Sequence, residues 1–182
     1  MTAEELREAR KQAYFADLGR CVVVWAEVEL ELFDAFRLLT GLSDQRAALL
    51  FGRLGTIAPR LDALAKMARE EGGEPGFETV AALLGQLKTK IDLRNMLVHQ
   101  PAAWSAANVA VRLVPEGQSH SVEIVGEDPG HLRTVASPHS KLAGKLHPVE
   151  FADAEMIKAH HLEVGGIRAE LALALRGIRQ RR

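Results

Sequence analysis

Phe77-Glu78-Thr79-Val80-Ala81-Ala82-Leu83-Leu84-Gly85-Gln86-Leu87-Lys88-Thr89-Lys90-Ile91-Asp92-Leu93-Arg94-Asn95-Met96-Leu97-Val98-His99 carries the period of a buried helix. Val80, Leu83, Leu84, Leu87 and Ile91 recur at three- and four-residue steps, and Met96 and Val98 continue the apolar character. The spacing predicts one helix over Phe77–Val98. It should close near His99, because Pro101 disfavours helical geometry at Gln100 and has no amide hydrogen to donate. The closing turns hold Arg94, Asn95 and His99 in an otherwise apolar segment. Arginine is a fixed cation whose planar fork grips a phosphate through two hydrogen bonds. Histidine is the side chain whose proton moves near neutral pH. Together they are the minimum equipment for cleaving a phosphodiester without a metal.

Outward from this segment, the same helical period recurs three times. From about Ala3 to Leu39 a single stripe runs through Leu18, Cys21 or Val22, Trp25, Val28, Leu32, Phe36 and Leu39, with Gly41 as a stop and Ser43 as a cap for the next helix. A second stretch, about Asp44 to Arg69, uses Leu49, Leu50, Leu54, Ile57, Leu61, Leu64 and Met67, with Gly52, Gly55 and Pro59 as places where it bends or splits. Glu71-Gly72-Gly73-Glu74-Pro75-Gly76 reads as a loop. After Pro101 the character changes. Asn108–Val114 and Ser121–Val125 are β-type runs parted by turn formers at Glu116-Gly117, and Leu132–Ala136 is long enough for a third strand. Asp153 then reads as the N-cap of a last helix to about Arg179, with Ile157, Val164, Ile167, Leu171, Leu175 and Ile178 inward. The expectation is a mainly α chain: a single domain over residues 1–182 built as a four-helix bundle. A small β-hairpin insertion, about 101–149, lies between its third and fourth helices.

Bulk properties set limits on function. Twenty-three Lys and Arg nearly cancel 24 Asp and Glu, leaving a net charge of -1, so there is no basic excess of the kind a general nucleic-acid binder shows. Cys21 is the only cysteine and has no internal disulfide partner, which reads as an intracellular, cytoplasmic chain. The first residues are charged and lack the apolar core of a signal peptide. No apolar run approaches the ~18–20 residues of a membrane span. Walker and Rossmann phosphate loops, nucleophile elbows and cofactor motifs are absent from the sequence.

On a regular helix Asn95 and His99 share a face, whereas Arg94 lies about 140° from His99. A loosened last turn and the reach of arginine bring both to one cleft, and a second copy of the motif from a symmetric partner eases the geometry further. At a helix C-terminus the macrodipole favours protonated His99, which suits a general acid. Arg94 followed directly by Asn95, then by His99 after four intervening residues, on the third helix of a bundle, resembles the motif of the HEPN superfamily. Trp25-Ala26-Glu27-Val28-Glu29 is similar to the first-helix segment of many bacterial members. The likeness covers the helical parts of the chain. It implies a homodimer that pairs two motifs across a groove, and for many members a metal-independent RNase, often a toxin or antiviral effector, that leaves 2′,3′-cyclic phosphate ends. Carried over, Arg94 orients and stabilises the phosphate, His99 moves the proton and Asn95 positions one or the other. An antitoxin or a small nucleotidyltransferase is the partner such a setting implies. Gln100 departs from the small residue that commonly follows the His. Other members have lost catalysis and serve as binding or scaffold domains, so a non-catalytic dimeric interaction or nucleotide-binding protein of the same fold is the alternative.

Local chemistry offers a plainer arrangement, in which Arg94 pairs with Asp92 or Glu29 and His99 caps carbonyls. Glu29 sits on the aromatic side of the first helix, where a carboxylate needs a cationic partner. Arg94 is the expected one, with Glu29 either supporting it from behind or reaching solvent. Glu27, Glu31 and Asp34 read as a solvated face. His120, His131, His139 and His147 have no metal-ligand spacing, and His160-His161 read as boundary residues of the last helix. Gly165-Gly166 marks a close helix contact or a kink. Arg176, Arg179, Arg181 and Arg182 form a small basic patch, able to track a phosphate backbone or simply to complement the helix dipole.

Overall fold

A reciprocal capping box starts the first helix. The Thr2 amide donates to Glu5 Oε2 (2.6 Å) and the Glu5 amide donates to Thr2 Oγ1 (3.2 Å), so two of the amides that a helix start leaves without partners are satisfied. From there α1 runs over Ala3–Thr40, ending where Gly41, at φ 64°, donates its amide back to the Arg37 carbonyl at 2.9 Å. The computed structural model describes residues 2–71, 76–99, 102–105, 112–116, 119–123, 131–135, 151–152 and 154–181. It is mainly helical, with α2 Asp44–Arg53, α3 Ile57–Glu70, α4 Phe77–Thr89, α5 Ile91–His99 and α6 Ala154–Arg179 completing six helices among the described residues. No helix among them is long and apolar enough to cross a membrane.

Two of the expected helices are each divided. The Asp44–Arg69 stretch breaks into α2 and α3 at Gly55, whose φ of 77° is a left-handed conformation that glycine adopts without penalty. Pro59 then sits in the first turn of α3, where its missing amide hydrogen would have had no helical partner in any case. Ser43 takes the N-cap position of α2 with extended backbone, but its side chain makes no capping bond. The Phe77–Val98 stretch divides into α4 and α5 at Lys90, whose amide donates to the Leu87 carbonyl at 3.0 Å. Because Ile91 falls four residues after Leu87, the break leaves the apolar phase intact. The described part of α5 reaches His99, and Gln100 and Pro101, on which the expected stop rests, lie outside the described residues. Asp153 lies outside the described residues.

The chain divides into two compact units. The first comprises residues 1–21 and 92–159, the second residues 22–91 and 160–182. In the first, Tyr14, Asp17 and Cys21 are buried on α1, Met96 and Leu97 on α5 and Ile157 on α6. Buried Asp17 is satisfied by Arg20 Nη1, which donates to its Oδ1 at 2.6 Å. The described backbone between α5 and α6 forms the short strands β1 Ala102–Ser105, β2 Arg112–Glu116, β3 Ser119–Glu123, β4 His131–Val135 and β5 Phe151–Ala152. β2 and β3 pair antiparallel with Val114 opposite Ser121, while β4 lies antiparallel between β1 and β5.

In the second unit α3 packs along α4. The core holds Leu61 and Leu64 from α3, Phe77, Val80, Leu84 and Leu87 from α4, Val28 and Leu32 from α1, and Leu171 and Ile178 from α6. Fully burying one such side chain contributes roughly 1.5–3 kcal/mol. On α2 the buried positions are Ala47 and Phe51, whereas Leu49 and Leu50, expected inward, are exposed. The helix is too short to turn both sides inward, and the Phe51 ring takes the inner side by packing on Phe33 and Phe36 at 5.5 and 5.6 Å between centroids.

Gly76 precedes α4 at φ 111°, and a Cβ built there would lie 3.0 Å from Ile178 Cγ1 and 2.9 Å from Arg181 Nη2. Gly85, inside α4, has open space around its Cβ position. Gly76→Ala should therefore lower stability by about 1–3 kcal/mol through left-handed strain and crowding, while Gly85→Ala should raise it by about 0.5–1 kcal/mol through helix propensity. Urea denaturation of the two variants checks the opposite signs.

Candidate functional site

The turns of α5 divide its side chains by depth. Met96 and Leu97 are buried and anchor the helix, Val98 is exposed rather than inward, and Arg94 and Asn95 are half-buried between these extremes. Arg94 Nη1 donates to Asn95 Oδ1 at 3.1 Å, which leaves the Asn95 amide nitrogen as a donor on the same side. The structure thus brings Arg94 and Asn95 together. His99 is the last described residue of α5, and its imidazole lies outside what the structure describes. On the α-helical backbone of α5, Asn95 and His99 fall four residues apart on one face.

Among the described residues, four arginines bury their Nε without a hydrogen-bond acceptor: Arg37, Arg60, Arg94 and Arg168. Three of them are neutralised by carboxylates at their terminal nitrogens. Arg37 meets Asp34 and Asp44, Arg60 meets Glu29, and Arg168 meets Glu27. Arg94 has no carboxylate partner among the described residues; its terminal nitrogen meets a neutral amide. A guanidinium carries five donors and no acceptor, so Arg94 retains an uncompensated charge and a buried N–H that faces no acceptor. An unsatisfied buried donor costs about 1–3 kcal/mol, and an anion bound there would recover it.

Cys21 lies within the electrostatic reach of Arg94. Burial pushes its thiol up to about 11, the Arg94 charge pulling more weakly in the other direction. The thiol is therefore neutral at physiological pH and is no nucleophile.

Glu29 finds its cation in Arg60, whose Nη1 donates to Oε2 at 3.2 Å while the guanidinium lies 4.5 Å over the Phe51 ring. The expected Glu29–Arg94 pair is thus replaced by one to a residue of α3. Nor are Glu27, Glu31 and Asp34 simply solvated. Glu27 pairs with Arg168, and Asp34 with Arg37 and Arg179. Burial raises the Glu31 carboxyl, against the pull of Arg168. Of the basic C-terminal run, Arg179 is committed to Asp34, and Arg182 lies outside the described residues. A Cβ at Gly165 would lie 3.6 Å from Val24 Cγ2, an ordinary contact, and one at Gly166 would meet nothing within 4 Å, so the helix contact here does not depend on glycine. No group of histidines, cysteines and carboxylates able to hold a metal occurs among the described residues; His139 and His147 lie outside them.

The residue that sequence reading placed too near the surface is His160, which is 3 % exposed. Trp25 Nε1 donates to its Nε2 at 3.1 Å, so the ring is neutral with its proton on Nδ1. A local signal existed: His160 stands three residues after Ile157 and four before Val164, on the buried stripe of α6. Desolvation lowers the imidazole to about 4. The Lys90 charge acts in the same direction, and Glu163, itself paired with Lys90, opposes it.

No protein-family model, curated protein or solved structure matches the chain.

Because folded His160 stays neutral while the unfolded histidine titrates near 6.5, the unfolded state binds more protons between these values. Stability should fall as pH drops from about 6.5 towards 4, by on the order of 2–3 kcal/mol from this group. Urea denaturation of wild type and His160→Phe across that window checks it: the variant, weaker at neutral pH, should have the shallower pH slope.

Proposed function

We infer that the chain is a HEPN-like, dimeric, metal-independent endoribonuclease or RNA-binding protein, acting inside the cell in a toxin–antitoxin, defence or stress setting. The observation that supports this reading is the state of Arg94. Among the four arginines with a buried orphan Nε, it alone meets no carboxylate among the described residues, and it sits beside Asn95 in the motif whose order suggests the chemistry. Of the two carboxylates that local chemistry offered Arg94, Asp92 and Glu29, the second is held by Arg60. In this reading the four-helix bundle is the scaffold, and the segment around 101–149 is an insertion in it.

The proposed step is transesterification. Arg94 binds the non-bridging oxygens of the scissile phosphate and stabilises the charge that grows there. Asn95 fixes the guanidinium through its carbonyl and offers its amide hydrogens to the substrate. The RNA 2′-hydroxyl attacks its own phosphorus, and the bond to the 5′-oxygen breaks. The 2′-hydroxyl gives up its proton as it attacks, and His99 relays a proton to the leaving 5′-oxygen, so that none is gained or lost overall. The products are a 2′,3′-cyclic phosphate and a 5′-hydroxyl. No metal enters the reaction as written, and an antitoxin or nucleotidyltransferase would act by covering or modifying the site.

The test is cleavage of a mixed RNA pool in EDTA, with chain ends mapped. Wild type should generate cyclic-phosphate ends. Arg94→Ala and His99→Ala should each reduce the rate by at least about 100-fold, the usual scale for a phosphate-stabilising group or a general acid, with helicity unchanged by circular dichroism. RNA bound but uncut by all three proteins would favour the non-catalytic reading. Activity that survives both substitutions would contradict the assignment.

A further inference from the structure

Charge in the first unit is nearly balanced. Over residues 1–21 and 92–159, ten Lys and Arg stand against twelve Asp and Glu. The balance is local: four bases and four acids before Val22, four and six over 100–153, and one of each on α5 and in the first turns of α6. On α1 the cations are also spent on neighbours, Lys11 on Glu8 and Arg20 on Asp17. A surface that follows an RNA backbone needs a line of cations, one for each phosphate neutralised. The unit that holds Arg94 has no such surplus.

Arg94 itself is equipped for one anion. Its Nη1 donates to Asn95 Oδ1, while its Nε is buried without an acceptor. The side edge of the fork, Nε with Nη2, therefore has no partner among the described residues. That edge matches two oxygens of one phosphate. The charge felt by the neighbouring Cys21 thiol is that of Arg94. Arg94 is thus a point receptor in a unit with little net field to hold a longer polyanion.

We propose that the site engages its RNA through one phosphate per copy of the motif, held on the Nε–Nη2 edge of Arg94, so that its ligand class is a short oligonucleotide: the scissile linkage and its immediate neighbours. The inference rests on the RNA reading above and narrows it. Long RNA gains nothing over a short piece, because the unit has no surplus of cations to receive the phosphates on either side. Each phosphate neutralised on a single strand adds about 0.7 to the slope of log affinity against log salt. From 50 to 200 mM salt, one phosphate predicts a loss of about threefold, and two, one for each of two paired motifs, about sevenfold. A basic track of six contacts would lose on the order of several hundredfold.

Fluorescence anisotropy of the full chain with 2′-O-methyl RNA, which cannot be cut, tests this. A tetranucleotide and a chain of about 20 nucleotides should bind with Kd values that agree within about threefold per linkage, and each should weaken by less than about tenfold over that salt range. Arg94→Gln, with helicity unchanged, should lose binding of both. Lys11→Gln, which removes a charge that Glu8 already takes, should alter neither by more than about twofold. A longer RNA that binds far more tightly per linkage, or that loses tenfold or more with salt, overturns the single-phosphate footprint and leaves the RNA reading standing. If neither RNA binds at the lower salt, or if Arg94→Gln binds both as wild type does, the RNA reading of this site fails and the inference fails with it.

Discussion

The second unit depends on one buried polar contact, the hydrogen bond from the Trp25 indole to the neutral imidazole of His160. It joins residues 135 positions apart and ties α1 to the last helix in the middle of an otherwise apolar packing. A buried indole N–H without an acceptor is costly, and so is a buried imidazole that has to charge. The two groups remove each other's penalty only in one tautomer and at one register of α1 against α6. Apolar residues alone are more forgiving of register, because they pack acceptably in several alignments. The ion pairs Glu27–Arg168 and Asp34–Arg179 match that register and reinforce it.

Arg94 stands apart in this molecule because of how its other arginines are treated. Arg60 is half enclosed by Glu29 and the Phe51 ring, and Arg37 by two carboxylates and Phe33. Those are structural arginines, with charge and stem both accounted for. Arg94 stands on a helix anchored by buried Met96 and Leu97 and is steadied by an uncharged neighbour. A cation that is positioned but not neutralised is an anion receptor in waiting, and the sequence sets Asn95 and His99 within a turn and a half of it.

Much of the fold was legible in the chain. The stripe of α1 through Trp25, Val28, Leu32, Phe36 and Leu39 is buried as its period required. What the sequence hid was of three kinds. The division at Lys90 left no trace because the apolar phase passes through it undisturbed. Leu49 and Leu50 look like core residues by type, but a ten-residue helix has one inner side, and Ala47 and Phe51 occupy it. The partner of Glu29 is 31 residues away on α3, and no local pattern announces a long-range ion pair. At the candidate site the composition and order of the motif were readable in advance. That Arg94 meets the neutral Asn95 amide and no carboxylate among the described residues was not, because residue order alone does not say which acceptor a long side chain reaches.

The claim that carries the functional account is that Arg94 offers its guanidinium to a phosphate. Its side-chain Nε–H resonance, assigned by its loss in Arg94→Lys, reports this directly in ¹⁵N NMR. Titration with an RNA carrying 2′-O-methyl riboses, which cannot be cut, should shift this resonance and slow its exchange with water, while the Nε–H signals of Arg37 and Arg60 stay in place. An Arg94 signal unmoved at saturating RNA, or one that moves no more than those of the carboxylate-bound arginines, would contradict the account.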